Sequence, residues 1–224
     1  MKQLVLIDRK QAHQLYLTGK GGYQKSIITQ ITPQFLALEL ETRRCAPRPW
    51  SVKFTGEECI DAGGPARELL TEIAFSIFNE YVLLCLPVPN KRDGIQQNSD
   101  TFVPFSRERS RNNEYLMIGH FLAVVLRTGF SQDMPFAPFV YDFIAGVPIS
   151  DKAILDVYSG LSAIRDQIAS GELNQNWTFQ NWDQSLDTIS GHSPMTRVRP
   201  DEADEYLTLV LKQLKVSITP TLTL

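Results

Sequence analysis

One segment constrains the fold more than any other, because a strand pattern runs through a glycine-rich turn into a helix pattern. Residues 50–55 (WSVKFT) alternate apolar and polar side chains, which is the period of a half-buried strand. Gly63-Gly64-Pro65 then predicts a tight turn with at least one glycine at positive φ, and a helix that has Pro65 in its first turn. Apolar residues from Ala66 to Tyr81 recur at helical spacing. The segment therefore predicts a strand, a turn and an amphipathic helix packed on a core.

Other apolar segments predict further helices and a second short strand. Leu4–Leu17 carries a partial helical stripe, and Ile27–Leu40 is predicted to be helical on both sides of a kink at Pro33. Residues 82–88 form a short apolar run typical of a strand. Tyr115–Arg127 is apolar nearly all round, which predicts a helix buried on most of its faces. The helix faces that we expect to share one core carry Leu69, Ile73, Phe78, Ile118 and Leu122.

The composition of the chain changes near residue 150. Ile154–Ile168 has the stripe of one amphipathic helix, and Ala203–Leu214 has a second stripe preceded by acidic residues that favour a helix start. Between them, residues 174–194 are polar but contain three large aromatic side chains. The sequence therefore predicts a mostly helical α+β fold, with a large subdomain over 1–150, a small α/β subdomain over 151–200, and a helix over 201–224 that returns to the large subdomain.

Charge and cysteine usage argue against several functional classes. The net charge is −3, so the chain has no global attraction for phosphate backbones, and we expect no nucleic-acid partner. No uncharged apolar run approaches the roughly 20 residues that cross a bilayer, and we expect no membrane partner. Cys45, Cys59 and Cys85 are widely spaced, which disfavours disulfides and a zinc site. A cytoplasmic location is expected, with the nucleus as the alternative.

A search for catalytic constellations finds none, and the sequence predicts no cofactor and no metal. Cys59 precedes the Gly63 turn, where a helix N-terminus lowers a thiol pKa, but the acidic residues 57 and 58 oppose thiolate formation. Arg107, Arg109 and Arg111 alternate with serine and Glu108, which favours a solvated loop over an anion site. Trp177, Phe179 and Trp182 are either the core of a small subdomain or an exposed recognition patch.

The opening segment is specific enough to indicate a family. Residues 48–57 (RPWSVKFTGE) and 60–68 (IDAGGPARE) resemble the opening of the HECT domain of ubiquitin ligases, where a V-x-F-x-G-E strand leads to D-x-G-G-x-x-x-E and a long helix. Residues 89–93 resemble the equivalent segment of very large HECT ligases with RCC1-type repeats. Residues 115–129, 177–179 and 198–206 follow in the family's order, so the resemblance covers most of residues 1–216.

The chain also departs from the family pattern. Ala123 stands where the central helix of the family has a second glycine, and Glu202 or Ala203 stands where it has an asparagine. The sequence stops before the C-terminal lobe, which carries the catalytic cysteine in a T-C-F-N-like context. No cysteine of this chain has those neighbours, so no catalytic residue is assigned, and the chain is expected to be inactive by itself.

The resemblance implies a role in a two-step transfer. In HECT ligases a ubiquitin-charged conjugating enzyme docks on the small subdomain of the N-lobe, and the C-lobe cysteine takes ubiquitin as a thioester. This chain would supply docking and positioning, with the conjugating enzyme (E2) as its partner and ubiquitin as a further one. The partner-binding residues implied by position are Leu161, Ile164, Trp177, Phe179 and Trp182. The alternative is a non-catalytic, HECT-derived protein-binding module.

Overall fold

The computed structural model describes residues 3–45, 50–57, 63–105 and 111–222. Its elements, in chain order, are β1 (Gln3–Ile7), α1 (Arg9–Thr18), α2 (Ile27–Leu36), α3 (Leu40–Cys45), β2 (Trp50–Phe54), α4 (Gly64–Ile77), β3 (Cys85–Pro87), α5 (Pro89–Arg92), β4 (Phe102–Pro104), α6 (Asn112–Thr128), α7 (Pro138–Ile144), α8 (Asp151–Leu155), α9 (Gly160–Ala169), β5 (Thr178–Gln180), β6 (Leu186–Thr188) and α10 (Ala203–Leu222). This confirms the mostly helical α+β class with short strands.

The chain forms two compact units, each built from segments that are distant in sequence. The first combines Met1–Cys85 with Ser106–Met134, and the second combines Leu86–Phe105 with Pro135–Thr223. The subdomain boundaries expected near residues 150 and 200 stay a prediction.

The first unit is organised around a parallel strand pair and a buried helix. β1 pairs with β2 in register from Gln3 opposite Trp50 to Ile7 opposite Phe54. Parallel strands need a crossover, which the helices α1 to α3 supply. α2 packs against β1, α4 and α6. Its isoleucines and Phe35 are fully buried, so α2 provides the centre of this core.

The strand–turn–helix prediction is confirmed where the structure describes it. Trp50, Val52 and Phe54 are buried on one face of β2, and Gly63 precedes α4 with a φ of +125°. Residues 58–62 of the turn lie outside the described residues. α4 ends at Ile77, earlier than expected, and Tyr81 is exposed. Leu69 and Ile73 face the core as predicted.

The expected helix over Leu4–Leu17 is wrong in its first half, because residues 3–7 form β1 and the helix begins at Arg9. Val5 and Ile7 are buried whereas Leu4 and Leu6 are exposed. The alternation is that of a half-buried strand, and its pairing partner lies more than 40 residues away in sequence. The segment Ile27–Leu40 also differs from its prediction, since α2 runs through Pro33 and the break falls at residues 37–39.

α6 is not buried on most faces, which corrects the expectation for Tyr115–Arg127. It buries one face, including Met117 and Phe121, while Leu126 is 81% exposed. Phe121 rather than the half-buried Leu122 carries the core contact. The solvated-loop prediction is wrong for Arg111, because its guanidinium is buried 4.1 Å from the ring centroid of Tyr23 and donates to the carbonyl of Val82. Arg107 and Arg109 lie outside the described residues.

In the second unit, the helix expected over Ile154–Ile168 is divided into α8 and α9. Asn90, which is fully buried, explains the break. Its side-chain amide donates to the carbonyl of Asp156 at 3.1 Å, and its Oδ1 accepts from the Ser159 backbone N–H at 2.9 Å. These bonds satisfy backbone groups that a continuous helix would have paired internally.

α10 is the long helix of the second unit, and it contacts α7, α8, α9 and β4. Its buried residues Tyr206, Val210, Leu214 and Ile218 recur at helical spacing, as the sequence predicted. Within the described part of the chain, none of the helices combines the length and the apolar character that crossing a bilayer requires.

Candidate functional site

A short antiparallel hairpin in the second unit carries the aromatic residues that sequence analysis singled out. β5 and β6 pair with Thr178 opposite Thr188 and Gln180 opposite Leu186. The turn between them is closed by side chains as well as backbone. Asn181 donates from Nδ2 to Asp187 at 2.7 Å, and its Oδ1 accepts from the Trp182 backbone N–H at 2.8 Å. The polar composition of residues 174–194 thus has a structural function in building this turn.

The three aromatic side chains are all buried. Trp177, Phe179 and Trp182 keep 2%, 4% and 1% of their surface accessible. The Trp177 ring stacks on His192 with centroids 3.6 Å apart and planes at 15°. Of the two alternatives stated for these residues, their burial matches a core position and not an exposed recognition patch.

Trp182 connects the hairpin to the surrounding helices. Its indole N–H donates to the carbonyl of Leu214 on α10 at 3.1 Å, and its backbone carbonyl accepts from Arg92 at 3.0 Å. Its ring lies 6.3 Å from that of Phe139 and 6.5 Å from that of Tyr158, within the range of aromatic pairing. Trp182 is therefore a structural anchor of the hairpin.

Tyr206 is a second anchor, which sequence analysis assigned only to a helix stripe. Its hydroxyl donates to the carbonyl of Thr178 at 2.9 Å, and its ring lies 6.2 Å from that of Trp177. Burial raises the pKa of the Tyr206 hydroxyl above its ordinary value, because the phenolate would lose its hydration. The hydroxyl therefore stays protonated at neutral pH and acts as a donor.

The remaining predicted residues lie on α9. Leu161 is buried in the core and Ile164 is half-buried. Arg165, next to Ile164, forms an ion pair with Asp204 at 3.3 Å. The structure thus places Leu161 in the core with the three aromatic residues, and leaves Ile164 as the predicted residue with the most accessible surface. A partner-binding role for these five residues stays a prediction.

Two exposed apolar residues near the hairpin were missed by sequence analysis. Leu186 on β6 is 68% exposed, and Met195 in the following loop is 86% exposed. A three-residue strand and an irregular loop provide no periodicity from which an exposed apolar position could be inferred. Ile164, Leu186 and Met195 are apolar side chains of the second unit that keep surface accessible to a partner.

The described residues give little support for a nucleophilic cysteine or a metal site. Cys85 is buried, and burial raises the pKa of its thiol above the ordinary value, so it does not form a thiolate at neutral pH. The side chain of Cys45 and the whole of Cys59 lie outside the described residues. Across 3–45, 50–57, 63–105 and 111–222, no group of three His, Cys, Asp or Glu side chains is placed to hold a metal.

Comparison with known proteins gives consistent matches. A family described as HECT-domain (ubiquitin-transferase) matches residues 70–223, which include the second half of α4 and the whole of α6, the hairpin and α10. The chain is similar to the E3 ubiquitin-protein ligase HERC2 of Homo sapiens and to that of Mus musculus. Each is 27% identical over 203 residues, a stretch that covers 87% of this chain and 4% of the relative. The chain thus spans a small fraction of the length of these curated relatives.

Proposed function

The chain belongs to the HECT-domain ubiquitin-transferase family, and from that premise we propose that it is the docking part of a HECT-type E3 ubiquitin ligase. In this proposal its second unit receives a ubiquitin-charged conjugating enzyme, and a separate lobe that bears a cysteine takes the ubiquitin. The observation that carries the proposal is the family match, which includes the whole β5–β6 hairpin and α9.

The geometry supports two different roles within this site, one for the buried aromatic residues and one for the accessible apolar residues. Trp177, Phe179 and Trp182 are held by packing and hydrogen bonds, so they form a rigid framework. Ile164 on α9 and Leu186 on β6 are apolar side chains of the same unit that keep accessible surface. Rigid presentation lowers the entropy lost on binding, and a few apolar anchors with a polar rim suit a transient partner that leaves after discharge.

The test is a titration of the chain with a panel of charged conjugating enzymes. Ile164→Asp should weaken binding about tenfold or more, because it places a charge in an apolar contact, and circular dichroism should show an intact fold. Val216→Asp is the matched control, since Val216 is an exposed apolar residue of the same unit on α10. If binding is lost only in variants that also lose structure, the recognition surface lies elsewhere.

The proposal also requires that this chain accept no ubiquitin by itself. Cys85 is buried and protonated, so it should not attack a thioester. Incubation with a charged conjugating enzyme, followed by a gel without reductant, should show no reducible ubiquitin adduct. A thioester on the chain would contradict the docking role and indicate that one of its own cysteines acts as a nucleophile.

A further inference from the structure

The first unit contains a cleft that the proposed docking function does not use. It has a volume of about 630 Å³, which is in the range of small-ligand and peptide-anchor sites. Its walls come from the start of β2, the first turn of α4 and the last turn of α6. Three distant segments therefore build one concavity in this unit.

The cleft combines an apolar floor with positive charge. Its buried apolar lining includes Trp50, Leu70 and Val124. Among the described residues that line it, the charged ones are Arg67 and Arg127, and none is an aspartate or a glutamate. The chain as a whole has a net charge of −3, so this pair is a local departure from the overall balance.

Both guanidinium groups keep unused hydrogen-bond donors. Arg127 donates from Nη2 to the carbonyl of Arg43 at 2.9 Å, which orients the group and leaves its other N–H bonds available. Among the described residues, neither Arg67 nor Arg127 forms an ion pair with a carboxylate. A planar guanidinium with free N–H groups matches a carboxylate in two-bond geometry.

The start of α4 adds to the positive character. Gly63, which precedes α4, and Arg67 in its first turn line the cleft, and this first turn contains no acidic residue to offset the positive end of the helix dipole.

We propose that this cleft binds an acidic peptide segment of a partner protein, with a carboxylate between Arg67 and Arg127 and an adjacent apolar side chain over Trp50 and Leu70. A small anion alone would leave most of the volume and all of the apolar floor unused. An apolar peptide alone would bury two unpaired charges at an energetic cost. A segment that alternates acidic and apolar residues satisfies both halves of the cleft.

The experiment is fluorescence anisotropy with a short fluorescein-labelled peptide in which Glu and Leu alternate. The matched probe has Gln in place of Glu. The Glu peptide should bind, and the Gln peptide should bind at least about tenfold more weakly, because charge-assisted hydrogen bonds are lost. Raising the salt concentration should weaken binding of the Glu peptide, since the cleft is open to solvent.

Variants then locate the site. Arg67→Gln with Arg127→Gln should weaken binding of the Glu peptide about tenfold or more. Lys20→Gln with Lys53→Gln removes the same charge from exposed positions of the same unit outside the cleft, and should have a much smaller effect. Ile164→Asp should leave peptide binding unchanged, which separates this site from the proposed docking surface.

Three outcomes would overturn the proposal. The first is equal affinity for the Glu and Gln peptides, a comparison that requires no variant to fold. The second is an equal loss in the lysine control, which would indicate binding by overall charge. The third is displacement of the peptide by acetate or inorganic phosphate at the concentration at which unlabelled Glu peptide displaces it, which would indicate a small-anion site.

Discussion

The β5–β6 hairpin and α6 have opposite sequence character and opposite patterns of burial. The hairpin lies in a segment rich in Asn, Gln and Ser, yet it buries Trp177, Phe179 and Trp182 almost completely. α6 lies in a predominantly apolar segment, yet Leu126 is 81% exposed. Local hydrophobicity therefore does not decide which side chains form the core. The neighbours that the fold places around a side chain decide it.

The burial in the hairpin and the exposure on α6 have different physical reasons. In the hairpin, polar side chains such as Asn181 make the turn. Two residues of α10 hold the hairpin by hydrogen bonds, since the Tyr206 hydroxyl donates to a hairpin carbonyl and the Leu214 carbonyl accepts from the Trp182 indole N–H. In α6, one face meets the core of the first unit and the opposite face meets solvent, whatever residues it carries. Scattered exposed apolar residues are normal on protein surfaces, whereas buried polar groups need partners.

The largest effect should come from removing a buried aromatic side chain in either region. Trp182→Ala and Phe121→Ala should each lower the free energy of unfolding by about 3–5 kcal/mol, because each leaves a cavity in a packed core. Urea denaturation followed by circular dichroism measures both. A loss below about 1 kcal/mol for Trp182→Ala would show that the hairpin is not part of the core and would reverse the comparison.

A smaller effect is expected from the polar residue that makes the hairpin turn. Asn181→Ala should lower the free energy of unfolding by about 1–3 kcal/mol, since it removes the bonds to Asp187 and to the Trp182 N–H at a buried position. Ser190→Ala is the control, because Ser190 is exposed in the same polar segment. Equal losses in the two variants would argue against a structural role for Asn181.

Tyr206→Phe tests the anchor on α10 and has a defined pH dependence. At neutral pH the variant should lose about 0.5–1.5 kcal/mol through the missing bond to Thr178. Burial raises the pKa of Tyr206 above its ordinary value of 10.0, so the native state favours the protonated form more than the unfolded state does. The resulting stability is complete below pH 10 and declines as the pH rises above it.

The variant should therefore lose less stability than the parent protein between about pH 9 and pH 11. Tyr158, whose pKa burial also raises, should leave a residual alkaline decline in both proteins. Denaturation midpoints measured across this range provide the comparison. Parallel pH profiles for the two proteins would mean that Tyr206 ionises as easily in the folded state as in the unfolded one.

The smallest effect should come from the exposed side of α6. Leu126→Lys should change the free energy of unfolding by no more than about 0.5 kcal/mol, because leucine and lysine have similar helix propensities and the site is exposed near the helix C-terminus. Phe121→Ala in the same helix provides the contrast. A loss above about 1.5 kcal/mol for Leu126→Lys would show that this side chain packs against something in solution.

Local sequence patterns determined several elements of this protein. The alternation in β2, the turn at Gly63 and the apolar stripes of α4 and α10 were predictable, because each depends on the residue's own backbone preferences and on a period within one segment. The family was also predictable, because the order of the motifs along the chain is a property of sequence alone. The mostly helical α+β class follows from both.

Tertiary structure decided what depends on distant partners. Residues 3–7 form a strand because β2 pairs with them, and the helix expected to end at Ile168 is interrupted because Asn90 binds the backbone at Asp156 and Ser159. The cleft between Arg67 and Arg127 likewise needs three segments brought together. A periodic pattern records which face of a segment is apolar. Which neighbour covers that face, and which hydrogen bond outweighs a helical one, depends on contacts between residues far apart in sequence, and only the folded chain brings those residues together.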